Sequence, residues 1–172
     1  MLHFPFYMRE NESFVQRQNN LVDHCMEHLG DLSDQLLLEV GCGNGANCKY
    51  ISTLNESVDI IGIDLNEENL VIANESMGSP RTKFIHDDAQ KLEHIEASTV
   101  DVLICIESAL HNPDKNAIFS QNKRVLKTEG RYMEADIIIR KEDRGRSLWW
   151  LKRTMLLHHT NENLYIDYAA EN

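Results

Sequence analysis

No apolar run in this 172-residue sequence approaches the ~20 residues that a membrane-spanning helix requires; the longest is Val102 to Ile106. The opening stretch, MLHFPFYMRE, lacks the basic start and long apolar core of a secretion signal. C-x-x-C pairs are missing as well: Cys25, Cys42, Cys48 and Cys105 stand apart. That pattern fits reduced thiols in a cytoplasmic protein better than a disulfide scaffold or a zinc site. Basic charge is scarce. Lys and Arg number 17 against 28 Asp and Glu, a net charge of −11, so the surface repels phosphate backbones and anionic membranes, and no nucleic-acid partner is expected. His24 and His28 stand four apart on a predicted helix, but no third ligand is evident nearby, and no metal site is expected. Repeats, low-complexity tracts and linkers are also absent.

What remains is the composition of a folded globular domain, 42% hydrophobic and 26% charged, of a length that suits one domain. Apolar positions at Phe14, Leu21, Val22, Cys25 and Leu29 recur at helical spacing from about Glu10 to Leu29, and Gly30 and Asp31 end the pattern. Leu36 to Val40 reads as a buried strand closed by glycines, Ala46 to Leu54 as a helix and Val58 to Ile63 as a second strand. Asn66 is an N-cap for a helix to about Met77. Strands follow at Lys83 to His86 and Val100 to Ile106, then a helix Asn112 to Lys127 opened by Pro113, then a strand Tyr132 to Ile138. The rest, from Arg140, is expected to be one helix and a tail.

Apolar strands alternating with amphipathic helices predict an α/β fold: a Rossmann-like, doubly wound, mostly parallel sheet of about five strands with helices on both faces. Residues 1–30 would form an N-terminal helical cap, 31–139 the core and 140–172 a C-terminal helix and tail. Such sheets bind ligands at the carboxyl ends of their strands.

The first strand ends in Glu39-Val40-Gly41-Cys42-Gly43-Asn44-Gly45. Glycines here permit a sharp turn and close approach of a ligand to the main chain. The spacing is G-x-G-x-G, with Ala46 where a dinucleotide fingerprint has its last glycine, a place at which that fingerprint tolerates alanine. The second strand leads to Asp64, 23 positions after Gly41, where a carboxylate can accept both hydroxyls of an adenosine ribose. His86-Asp87-Asp88-Ala89 follows the third strand. An acid there suits an adenine amino group, and equally a helix cap.

Taken together, LLLEVGCGNG, IIGIDLNEENL, FIHDDAQKL, DVLICIESALHN and RVLKTEGRYMEADI resemble the class I S-adenosylmethionine-dependent methyltransferases over roughly Leu36 to Ile138. The segment IESALHNPD followed by RVLK is similar to the small-molecule branch, which acts on sterols, quinones, polyketides and glycolipids. The resemblance implies S-adenosylmethionine as cofactor. Glu39, Gly41, Cys42 and Gly43 would then line its methionine and ribose region, with Asp64 on the ribose hydroxyls and Leu65 packed on the adenine. Asp88 would meet the adenine amino group, Ala89 would lie beside it, and Ile106 and Glu107 would lie near the transferred methyl.

The sequence departs from the family twice. Leu126-Lys127-Thr128-Glu129-Gly130 replaces the usual L-K-P-G-G turn, and only 33 residues follow Ile139. The family's C-terminal strand hairpin is therefore expected to be missing: either the chain is a fragment, or the sheet edge is left open or completed by a second copy or a partner.

The expected reaction is transfer of a methyl group to an oxygen or carbon of a small, partly apolar acceptor. Methyl transfer is an in-line displacement, so alignment is the main task. His111, just past the fourth strand, is the candidate base, because imidazole ordinarily titrates near ~6.5. Glu107 competes for that role, although by resemblance it is closer to a structural or gating residue. Between Arg140 and Arg153 six basic residues face two acidic ones, a patch that would draw an anionic acceptor or simply form a solvated helix face. Phe4, Phe6 and Tyr7 with Trp149 and Trp150 would roof the acceptor pocket or pack the terminal elements. Two other readings stay open at this point, an NAD-dependent oxidoreductase and a non-catalytic cofactor-binding module completed by a partner.

Overall fold

The structure, a computed structural model, describes residues 5–136. Their elements run α1 (Phe14–Leu29), β1 (Leu36–Val40), α2 (Ala46–Leu54), β2 (Asp59–Asp64), α3 (Glu67–Ser76), β3 (Thr82–His86), β4 (Val100–Ile106), α4 (Lys115–Val125) and β5 (Leu126–Ala135). The five strands form one parallel sheet in the order β3-β2-β1-β4-β5. The order reverses between β1 and β4, which opens a crevice at their carboxyl ends.

Period-two alternation along the strands divides the core into two layers. Leu37, Ile60, Val102 and Ile104 face α1, α2 and α3, meeting Val22, Cys25, Leu29, Ile51, Leu70 and Ala73. Leu38, Val40, Ile63, Leu103 and Cys105 face α4 and the segment after β3, meeting Ile118, Val125, Leu92 and Ile95. Helices therefore cover both faces, and the α/β expectation holds.

Local chemistry moved several boundaries. Helix α1 begins at Phe14 rather than Glu10, because Ser13 and Gln16 form a reciprocal capping box. At that first position Phe14 is exposed, not inward as its spacing suggested. Helix α4 starts two residues beyond Pro113. Asn112 before the proline is held extended, and Asp114 caps the helix by accepting the Ala117 N–H at 3.0 Å. The residues before it, Ala109–His111, coil into a single 3-10 turn.

Strand β5 begins at Leu126, inside the stretch expected to be a turn. Val100 pairs with Leu126 and Val102 with Arg131, so four residues of β5 stand against one of β4 as a bulge. Its described part ends at Ala135. The C-terminal helix, the basic segment from Arg140, Trp149, Trp150, Phe4 and the missing hairpin all lie outside the described residues. Among the described residues no helix is long and apolar enough to cross a membrane.

Candidate functional site

At the carboxyl ends of β1, β2 and β4 lies a cleft of two adjoining lobes, each about 210 Å³. The glycine loop, Asn47, Asn69, Ile106 and Glu107 line the first; Ile63, Leu65, Asp87, Ala89 and Asn112 line the second. Gly41, Asp64, Ser108 and His111 are common to both. Of the expected site residues, the fold thus brings together Gly41, Cys42, Gly43, Asp64, Leu65, Ala89, Ile106, Glu107 and His111.

The loop after β1 owes its path to glycine. Gly41 has φ +75°, and a Cβ there would lie 1.8 Å from Ser108 Oγ. Gly45 has φ +78° and caps α2; a Cβ on it would meet the Phe84 ring at 2.5 Å. The first glycine lets the loop pass against the β4 side of the cleft, and the other lets α2 pack down on β3.

Asp64 occupies the junction of the lobes. Its Oδ2 accepts the Gly43 N–H at 2.8 Å and its Oδ1 the Asn66 N–H at 2.8 Å. One carboxylate therefore locks the glycine loop to the start of α3 while facing the cleft. Leu65 beside it is 56% exposed, a large apolar side chain offered to the second lobe. Past β4, Glu107 sits in the left-handed region at φ +48° with its N–H bonded to the Ala135 carbonyl at 2.7 Å. Such strain in a non-glycine residue is kept where the surroundings over-determine it, often at functional sites. Here it turns the chain so that Ser108 and His111 face the cleft.

Two expected residues do not reach the lining. Asp88 is half-buried and accepts the Gln90 N–H at 2.9 Å. Its neighbour Asp87 lines the second lobe instead, and holds the loop by accepting N–H bonds from Asp88, Glu93 and His94. Glu39 is only 1% exposed and lies beneath the loop, accepting from Asn47 Nδ2 at 2.9 Å and the Cys48 thiol at 2.8 Å. Burial pushes its carboxyl up to about 7, those two bonds oppose the shift, and Asp64 adds to it.

Asn47, Asn69, Ser108 and Asn112 were missed in the sequence reading. Asn47 is the most informative of them. It lines the first lobe, and while its amide nitrogen is used by Glu39, its buried Oδ1 has no partner among the described residues. A buried acceptor without a partner, on a side chain that lines a cleft, is a group that a donor from a ligand would satisfy.

All four cysteines are buried and unpaired, and burial holds the Cys42 thiol at the loop protonated. Neither lobe is lined by Phe6 or Tyr7, which stay along α1: Phe6 lies 5.6 Å from the His24 ring, and Tyr7 lies beneath the Arg17 guanidinium. The His28 ring nitrogen meets the His24 carbonyl at 2.8 Å.

Glu39 makes stability depend on pH. Below its ordinary value of 4.5 both folded and unfolded chains hold the proton; up to about 7 only the folded chain does. Its contribution is therefore complete at acid pH and is lost as the pH rises through 7. Thermal unfolding of Glu39→Gln should show a shallower fall between pH 5 and 8 and a gain of roughly 1–3 kcal/mol at pH 8. Part of the fall should persist through Glu134, which burial lifts to about 8. An unchanged slope would mean that Glu39 is ionised in the folded chain throughout.

Comparison with known proteins gives a consistent result. A methyltransferase domain family model matches residues 37–130. The chain is 30% identical over 142 residues to 27-O-demethylrifamycin SV methyltransferase of Amycolatopsis mediterranei, covering 80% of this chain and 52% of that protein. Ubiquinone biosynthesis O-methyltransferase of Aliivibrio fischeri is 27% identical over 111 residues, 63% of this chain and 47% of that one. Among solved structures, geranyl diphosphate C-methyltransferase of Streptomyces coelicolor, in complex with Mg2+, geranyl diphosphate and S-adenosyl-L-homocysteine, superposes with a TM-score of 0.88 at 16% identity. That match covers all of this chain and 73% of the other. The chain spans about half the length of the curated relatives it matches.

Proposed function

The chain belongs to the methyltransferase domain family, and from that premise we propose that it moves a methyl group from S-adenosylmethionine to an oxygen or carbon of a small, partly apolar acceptor. The observation that carries the proposal is the position of Asp64 between two lobes, one rich in backbone and amide groups and the other offering Leu65 and Ala89.

The residues fit the cofactor. Asp64 would take the ribose hydroxyls through the lone pairs its two backbone bonds leave over. Leu65 and Ala89 would flank the adenine. Asp87 lines the second lobe but already accepts three N–H bonds, and Asp88, which lies outside the lining, would meet the adenine amino group only by turning toward that lobe. Gly41, Cys42 and Gly43 would lie along the methionine portion, where the orphaned Asn47 Oδ1 would accept from its amino group. Glu39 would serve by holding Asn47, and Ile106 and Glu107 would floor the end where the methyl leaves. When bound, S-adenosylmethionine supplies a methyl group activated by its sulfonium.

What this chain does is align the acceptor, exclude water and hold a proton. His111, on the 3-10 turn and lining both lobes, would take the proton of an acceptor hydroxyl, a role its position supports. The net charge of −11 supports a small-molecule acceptor over a nucleic acid, and the buried unpaired thiols support a reducing, cytoplasmic compartment. Strand β5 ends the sheet among the described residues, and its outer edge would be covered by a second copy or a partner.

Calorimetric titration of the purified chain with S-adenosylmethionine, alongside NADH, tests the proposal. Saturable binding of the first and none of the second is expected. A folded chain that binds neither would overturn the proposal and leave a partner-completed module as the reading to pursue.

A further inference from the structure

Under the turn that carries His111 lies a buried cation that the cleft does not use. Lys115, the first residue of α4, is 4% exposed. Lysine is rarely so buried, and an ammonium in the first turn of a helix is opposed by the helix dipole. Its bonds point elsewhere: Nζ donates to the carbonyl of Ala109 and, at 2.8 Å, to that of Asn112.

Those two carbonyls bracket the turn. Between them the His111 N–H bonds to the Ser108 carbonyl at 3.1 Å and the Asn112 N–H to the Ala109 carbonyl at 2.9 Å. Ser108, His111 and Asn112 all line the cleft. The carboxyls of Asp136, just past β5, and Glu134, near its end, sit within electrostatic reach of the ammonium and favour its charged form. Burial opposes them and lowers its pKa. Glu134 is in turn held by the Tyr132 hydroxyl, which donates to its Oε2.

We infer that Lys115 is a positioning residue: by clamping the carbonyls of Ala109 and Asn112 it fixes the turn that presents His111 and Ser108 to the cleft. The inference rests on the reading of that turn as the acceptor side of a methyltransferase cleft, and its test needs no ligand.

The test compares Lys115→Met, close in size but without donors, and Lys115→Gln, which keeps an N–H donor without the charge. Amide exchange at His111 and Asn112 should quicken at least ~10-fold in Lys115→Met, with Leu38 and Ile63 in the sheet unchanged. The His111 ring-proton signal should shift or broaden while those of His86 and His94 stay in place. Lys115→Gln should restore part of the protection. Wild-type exchange and an unmoved His111 signal in the variants would overturn the inference. So would faster exchange throughout the sheet, or failure of both variants to fold, since either assigns Lys115 to global stability. If only Lys115→Met fails to fold, Lys115→Gln decides by the same two readouts. A wild-type chain that does not bind S-adenosylmethionine would defeat the proposed function while leaving these readouts able to decide the role of Lys115.

Discussion

Asp64→Ala is expected to weaken S-adenosylmethionine binding by at least ~100-fold, the loss of about two charge-assisted hydrogen bonds. The effect should exceed that of any other single change in the cleft, because the same carboxylate has two tasks. It faces the junction of the lobes, and it ties the Gly43 N–H to the Asn66 N–H. Removing it takes away a ligand contact and frees the loop that forms the rest of the first lobe. Asp64→Asn separates the two. The amide keeps one acceptor oxygen for the backbone but loses the charge, so its affinity should fall between those of wild type and Asp64→Ala. Titration calorimetry of the three chains reads the series directly. Equal affinity in all three would remove Asp64 from the cofactor site.

His111→Ala should have the opposite signature. Loss of a general base costs about 10²- to 10⁴-fold in rate, while affinity for S-adenosylmethionine should stay within about threefold, since Asp64, Leu65 and the glycine loop are untouched. The measurement is S-adenosylmethionine turnover with an acceptor found by screening small hydroxylated and enolic compounds, read beside the binding titration. Parallel loss of rate and affinity would make His111 a wall of the cleft rather than a base. In that event Glu107, at the first lobe and in a strained backbone conformation, becomes the residue to change next.

Legibility followed a physical division. Strand β1, helix α2 and strand β4 fall at the residues expected, because short apolar runs bounded by glycine or an acid leave one solution for burial. Asp64 and the glycine loop were legible because their spacing carries the chemistry. What stayed hidden were polar residues whose partners belong to a different element of the fold. Nothing in the sequence marks Asn47 or Lys115, polar residues within predicted helices; only the fold shows that Asn47 meets Glu39 and that Lys115 turns back onto Ala109. The interior position of Glu39, beneath the loop rather than in the cleft, depends on α2 lying across it. Helix α4 began later than expected because Asp114, not Pro113, provides its cap. The start of β5 was hidden by a bulge of four residues whose composition reads as a turn.

The strand order carries a consequence for how the chain folds. Strands β1, β2 and β3 neighbour one another and are made within the first 86 residues, so this half of the sheet can assemble as it is synthesised. The other side of β1 must wait for β4, whose pairing begins at Leu37 with Val102. Until then the central strand of the finished sheet is an open, apolar edge, the kind of surface that pairs with other chains. The reversal of direction that creates the cleft thus imposes a delay in folding. Non-local pairing of this kind is intrinsically slow, and it places the aggregation-prone interval of this protein's biogenesis between the appearance of β1 and that of β4.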